Sequence, residues 1–559
     1  MVVKMCHLQQ SKFDLFTLAA LLLLLLPLVH STPVLARADN HVRGSNDEGG
    51  PDLTAALDYG TFRGAYSKQY NISYWKKIPF AAPPVGENRF RGPQPPINLT
   101  GTGMYDSSKP FDMCPQRTAN GSEDCLYLGL YSRPWKVGQP LRPVVVVFYG
   151  GGFIRGSALF ASLPPSAYPV LNVSASTDLV FVYPNYRTNA FGLLAGRQIV
   201  ADPKSDTNAG LLDQRAAIAW ANRYAAQFGG DPRNVSIWGQ SAGGGSVVAQ
   251  VIANQTFSPG GGGVFQKALA SSPYWPKTYS ASGGEAQWIY DTLASRTGCG
   301  SVANSLACLK RASVQSIRDA SEFIAASHTH TTSSYTWAPV IDGKFLPRTL
   351  TQATAATGGA INSDFAFATY NTHEGENFLP DRVSSFDSWL AGFLPGLSKE
   401  QHDEVRQMYP QIGKTETLAS YTTSQVRAGL VYRDVVLACP GYWMAGASKR
   451  GWLAEYTISP AKHASDTYWW NQVNSAQRTD PLIYQGFTGA FASFFMTGDP
   501  NTRKLTPSVA IAVPELLAGS SSSAPEEFVI NSDGFDTAQL TQLKRRCDFW
   551  RTVAPSVLV

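Results

Sequence analysis

The chain has 559 residues, with 46 Lys plus Arg against 41 Asp plus Glu and a formal net charge of +5. Apolar residues make up 44% and charged residues 16%, the reverse of the composition that keeps a chain unfolded, so disorder is excluded as a description of the whole. So dilute a charge, with no basic run longer than Lys544-Arg545-Arg546, excludes the concentrated basic patch of a nucleic-acid binder.

The N-terminus reads as an address. Lys4 and Lys12 precede an almost wholly apolar run from Leu15 to Val29, and small residues follow at Ser31 and in Ala36-Arg37-Ala38. A basic start, a short apolar stretch and a small-residue site describe a secretory signal peptide over residues 1–31, with cleavage as late as 38 as the alternative. The run is shorter than the ~20 residues of a spanning helix, which places a membrane anchor second. No other segment is apolar enough to cross a bilayer, so no stable membrane span is expected once the signal is removed. The C-terminal Ser556-Val557-Leu558-Val559 matches neither an ER-retention nor a lipid-anchor signal. Six Asn-x-Ser/Thr triplets, at Asn71, Asn98, Asn120, Asn172, Asn234 and Asn254, fit a glycosylated secreted protein.

Further along, Val144 to Phe148 is a continuous β-branched run, and Leu179 to Tyr183 and Val235-Ser236-Ile237-Trp238 are further short, largely apolar runs. They read as strands buried on both faces of a parallel or mixed sheet. Between the last two, Gly210 to Phe228 carries an apolar helical surface. Strand, helix, strand predicts an α/β fold. No internal repeat or long low-complexity block divides the chain. The glycine-rich stretches Pro259 to Gly263 and Gly519 to Pro525 read as loops rather than linkers.

The third strand runs into Gly239-Gln240-Ser241-Ala242-Gly243, and a helix is expected from Gly245 to Ile252. Strand, Gly-x-Ser-x-Gly, helix is the setting of a nucleophile elbow, which lifts a serine hydroxyl above the sheet and tolerates only small neighbours. Acyl transfer to such a serine needs backbone N–H groups aimed at a developing oxyanion. Gly151 and Gly152, in the glycine turn after Val144 to Phe148, and Ala242, next to the serine, are the expected donors.

Eight histidines are candidates for the base. His7 and His30 lie in the signal segment, and His41, His328 and His330 in polar stretches. His402 sits in a charged, helix-like segment. His373 and His463 remain. His463 follows the strand-like run Leu453 to Ile458, in a loop from which an imidazole can reach the nucleophile. Chain order Ser, acid, His makes Glu374, after the strand-like Phe365 to Tyr370, the acid that orients it. His373 is then a neighbour without a direct role, while Asp342 and Glu376 compete for the acid position.

Eight segments together resemble the type-B carboxylesterase family, which includes cholinesterases and secreted fungal lipases. They are WKKIPFAAPPVGENRFRGPQPP (75–96), SEDCLYL (122–128), PNYRTNAFGLL (184–194), NAGLLDQRAAIAWANRYAAQFGGDP (208–232), GQSAG (239–243), THEGENF (372–378), HASD (463–466) and TGDPN (497–501). The resemblance implies an α/β-hydrolase fold, with a large, mostly parallel sheet flanked by helices, as a single domain over 32–559. It implies a triad of Ser241, Glu374 and His463, with Ser271 as a buried serine supporting it. It pairs Cys114 with Cys125, Cys299 with Cys308 and Cys439 with Cys547, so that the seventh cysteine, Cys6, leaves with the signal. It also implies buried ion pairs between Arg89 and Glu123 and between Arg187 and Asp213. The activity implied is hydrolysis of small-molecule carboxylic esters, with no metal and no cofactor. A lipase acting on long-chain acylglycerols is the alternative within chemistry, and a cholinesterase-like adhesion protein the alternative outside it. In the family's cholinesterases and lipases the first bridge closes a long loop carrying a choline-binding tryptophan or a mobile lid. Here it encloses only residues 115–124, without tryptophan. This predicts a more open gorge with neither device.

Overall fold

The computed structural model describes residues 53–557, apart from 118–119, 159–162, 175–177, 256–263, 328–335, 356–360, 504–510 and 517–523. The signal segment, His7, His30, His41, His328, His330 and most of the two glycine-rich loops lie outside the described residues. Residues 51–559 gather into one unit by their internal contacts.

Fourteen strands are described: β1 (Thr54–Leu57), β2 (Gly60–Arg63), β3 (Ala65–Ser67), β4 (Ile72–Pro79), β5 (Met104–Asp106), β6 (Tyr127–Ser132), β7 (Arg142–Phe148), β8 (Val180–Pro184), β9 (Gly230–Gln240), β10 (Lys267–Ser271), β11 (Phe365–Asn371), β12 (Arg450–Tyr456), β13 (Glu526–Asn531) and β14 (Gly534–Gln539). Eleven form one sheet in the order β14-β13-β12-β11-β10-β9-β7-β8-β6-β4-β3, and β1, β2 and β5 form a small second sheet. From β8 through β7, β9, β10, β11 and β12 to β13 every pairing is parallel. Both margins are antiparallel. The central strands carry long apolar runs because helices cover both faces of the sheet. Val144, Val145, Val146, Val180, Phe181, Val182, Val235 and Ile237 are all buried.

Two helices matter most for the site. Helix α1 (Ala209–Tyr224) buries Leu211, Leu212, Ala217, Ile218, Trp220 and Ala221. Helix α2 (Ala242–Ile252) begins directly after the elbow and is buried along its whole length. It starts three residues earlier than the periodicity of its apolar residues indicates, because the three glycines let it come close to the sheet. A Cβ on Gly243 would lie 2.1 Å from the Phe148 carbonyl oxygen, so any larger residue would force β7 and α2 apart.

Three disulfides tie the structure: Cys114–Cys125, Cys299–Cys308 and Cys439–Cys547. The third joins α3 (Cys439–Ala447) to the C-terminal helix α4 (Gln542–Val557). Two buried arginines hold loops beneath the site. Arg89 meets Glu123 through two hydrogen bonds of 2.7 and 2.6 Å and also donates to the carbonyls of Leu309 and Ala312. Arg187 forks onto Asp213 at 2.8 and 2.7 Å. Both pairs are buried, the setting in which removing one partner strands a charge and costs ~3–5 kcal/mol.

Candidate active site

Parallel register brings the strand ends together. Gln240 at the end of β9 pairs with Ser271 of β10, and Ser271 with Thr369 of β11. Residues that follow these strands therefore emerge side by side. Ser241 sits at the sharp turn between β9 and α2 with φ 59° and ψ −125°, a conformation costing about 1–3 kcal/mol for a residue with a side chain. Its backbone is held on three sides. Its N–H donates to the Ser271 carbonyl at 3.0 Å, and its carbonyl accepts from Tyr274 and Gly245 at 2.9 Å each.

The Ser241 hydroxyl lies 2.9 Å from His463 Nε2, and His463 Nδ1 lies 3.0 Å from Glu374 Oε2. Glu374 is fully buried, while His463 is 13% exposed at the surface of the site. The Gln240 side-chain amide approaches the same Nε2 at 3.4 Å. Of the competing acids, Asp342 accepts from Thr207, Asn208 and the backbone of Lys344 and Leu346. It is spent on fixing the start of α1. Glu376 pairs with His373 Nδ1 at 2.8 Å and with Lys462, and among the described residues no hydrogen bond joins it to His463.

The glycine turn after β7 lies against the elbow. A Cβ on Gly150 would come within 2.7 Å of the Gln240 carbonyl and 3.1 Å of Ser241 Cβ. Gly151 and Gly152 have φ of 117° and 63°, and at Gly151 any side chain would also strike the Arg155 carbonyl at 2.3 Å. Ala242 is the first residue of α2, where a backbone N–H has no partner within its own helix. The short first-disulfide loop folds onto this turn. Gln116 donates to the Gly156 carbonyl and accepts from the Gly156 N–H, both at 2.8 Å. Tyr149 and Tyr186 stack at 4.1 Å, and each hydroxyl donates to the other's carbonyl, which locks the end of β7 to the end of β8.

Behind Glu374 lies a polar group that sequence reasoning missed. Asn371 Nδ2 faces Glu374 Oε2 at 3.4 Å, Asp466 Oδ1 at 3.1 Å and the Ser272 hydroxyl at 3.1 Å. Asp466 is fully buried, and burial pushes its carboxyl up to about 6; the Asn371 amide opposes this and the nearby Glu374 charge adds to it. Ser271 points elsewhere, its hydroxyl accepting from Trp238 Nε1 at 3.3 Å. It is Ser272, next along, that reaches Asn371 beside Glu374. The signal available in sequence was the aspartate three residues after His463, but nothing local revealed that Asn371 bridges it to Glu374.

Of the aromatics flanking the motifs, Tyr274, Trp275, Trp469 and Trp470 are core. Phe378 instead lies edge-on to the His463 ring at 5.1 Å and stacks on Tyr432 at 4.9 Å.

The profile of the carboxylesterase family matches residues 51–513, and the chain belongs to that family. Carboxylesterase patB of Penicillium expansum is 29% identical over 430 residues, covering 72% of this chain and 73% of that protein. A secreted lipase of Arthroderma benhamiae is 28% identical over 449 residues, covering 77% and 82%. Among solved structures, EstA of Aspergillus niger superposes with a TM-score of 0.75 at 25% identity, covering 91% of this chain and 99% of its own. The fold is the α/β-hydrolase fold, and the protein is a carboxylic-ester hydrolase.

Proposed function

We propose that the chain is a secreted serine esterase working through an acyl-enzyme, with Ser241 as nucleophile, His463 as base and Glu374 as the acid that orients it. The observation that carries this reading is the unbroken chain of hydrogen bonds from Ser241 Oγ to His463 Nε2 and from His463 Nδ1 to Glu374. His463 takes the serine proton as Oγ attacks the ester carbonyl. The N–H groups of Gly151, Gly152 and Ala242 receive the charge that develops on the carbonyl oxygen. Collapse of the tetrahedral intermediate expels the alcohol, which leaves with the proton from His463. Water, deprotonated by the same imidazole, then releases the acid. Glu374 stabilises the imidazolium in a site where burial makes the charge pairing strong. Secretion is supported by the apolar N-terminal run, the disulfides and the relatives named as secreted. The lipase reading has one observation in its favour, the several similar proteins named lipases.

Labelling with a fluorophosphonate tests the nucleophile. Wild type is expected to label stoichiometrically and lose esterase activity, and Ser241→Ala to do neither, with kcat down by roughly 10⁴-fold or more. Equal labelling of both proteins would overturn the assignment.

A further inference from the structure

The loop that carries His463 is strained on both sides of it. Ala461 and Ala464 have φ of 46° and 70°, left-handed backbone that costs a residue with a Cβ roughly 1–2 kcal/mol. Such a shape persists only where the surroundings over-determine it. The surroundings here are largely one segment, Asn371 to Asn377, which also carries Glu374. The His373 N–H donates to the Ala461 carbonyl at 2.9 Å. The Lys462 ammonium pairs with Glu376 Oε2. The N–H of His463 itself donates to Asn377 Oδ1 at 2.9 Å. Asn371 reaches Asp466 at 3.1 Å.

Glu376 is the hub of this strap, because its second oxygen meets His373 Nδ1 at 2.8 Å. Burial opposes its ionisation, but His373 and Lys462 outweigh burial and hold the carboxyl below its usual range. The pair with Lys462 is also shielded on one side, with Glu376 13% exposed, which lifts it above the exposed pairs that contribute little. Lys462 is the residue immediately before His463, so a pull on its ammonium is a pull on the imidazole's own backbone.

We infer that Glu376 is a positioning residue, which acts through Lys462, with Asn377 beside it, to keep His463 Nε2 within hydrogen-bond reach of Ser241; this rests on the reading of His463 as the base. A displacement of about 1 Å at a catalytic group costs ~10²-fold in rate. The contacts of the strap run to the loop of the base, so its loss is expected to fall on kcat rather than on KM.

The test uses Glu376→Gln, Lys462→Met and Lys462→Arg, with His463→Ala as the control, assayed on p-nitrophenyl butyrate alongside thermal unfolding. Glu376→Gln and Lys462→Met are each expected to lower kcat at least tenfold with KM within twofold and the unfolding midpoint within a few degrees. Lys462→Arg, which restores the charge, is expected to return kcat to within threefold of wild type. Lys462 is 38% exposed, so its variants carry the test if Glu376→Gln fails to fold. The strap is overturned if Lys462→Met keeps wild-type kcat, or if KM moves in place of kcat, while His463→Ala is inactive. If His463→Ala keeps wild-type activity, the reading of the base falls and the strap falls with it.

Discussion

Asp466 shows how a single buried carboxyl sets a pH dependence. Its side chain is fully buried beside Glu374 and held at about 6, against an ordinary 3.8. Between these values the folded protein holds a proton that the unfolded chain releases. The stability contributed by the neutral Asp466 is therefore fully present below about pH 4 and is lost as pH rises through 6. At ~1.4 kcal/mol per pH unit the loss is on the order of 3 kcal/mol. Asp466→Asn, which cannot ionise, is expected to be more stable than wild type above pH 6 and to lose that advantage near pH 4. Denaturant unfolding of both proteins from pH 4 to 8 checks this, and a difference that is flat with pH would refute it.

Among the elements, α4 shows how a segment remote from Ser241 supports the loop bearing Glu374. Arg546 on α4 meets Asp434 at 3.0 Å, Asp434 meets Arg433 at 2.7 Å, and Arg433 reaches the Thr372 carbonyl and Glu455. Glu416 accepts from the first two N–H groups of the helix, those of Gln542 and Leu543. The Cys439–Cys547 bridge closes a separation of 108 residues, whereas Cys299–Cys308 closes 9. On a chain-entropy account these correspond to about 5 and about 2.5 kcal/mol. Replacing Cys439 and Cys547 by alanine should therefore lower stability by roughly twice as much as replacing Cys299 and Cys308. Chemical denaturation of the two double variants measures the ratio, and equal losses would show that α4 is held by its ion pairs instead.

At the scale of the molecule, the first disulfide loop bears on whether the substrate is soluble or interfacial. The Cys114–Cys125 loop lies down on the glycine turn through Gln116, and Asn189 holds its Pro115 carbonyl at 3.0 Å. The described part of this loop is spent on supporting the turn that carries the proposed oxyanion donors, which fits an esterase for soluble esters better than a lipase with a flap at this position. With p-nitrophenyl esters of increasing chain length, the rate is expected to saturate below each ester's solubility limit. A sharp rise above that limit would favour the lipase. Four of the six Asn-x-Ser/Thr asparagines, Asn71, Asn98, Asn120 and Asn172, are exposed. Asn234 is half-buried and engaged by the buried Lys267.

Much of this was legible in the residues because it depends on local rules. The runs at Val144, Leu179 and Val235 read as strands because they are short, rich in β-branched and aromatic residues, and almost wholly apolar. Gly239, Ser241 and Gly243 must form a tight elbow between a strand and a helix, since nothing larger fits between β7 and α2. Chain order then pointed to His463 as the base and to Glu374 as the acid, with Asp342 and Glu376 still competing for the acid position. What no local rule contains is register. Only the alignment of β10, β11 and β12 shows that Asn371 sits between Glu374 and Asp466. It also shows that Ser272 rather than Ser271 faces them, and that Glu376 is turned toward Lys462. Those contacts join residues some ninety positions apart, and they are decided by how strands stack across the sheet, a property of the folded whole rather than of any segment of it.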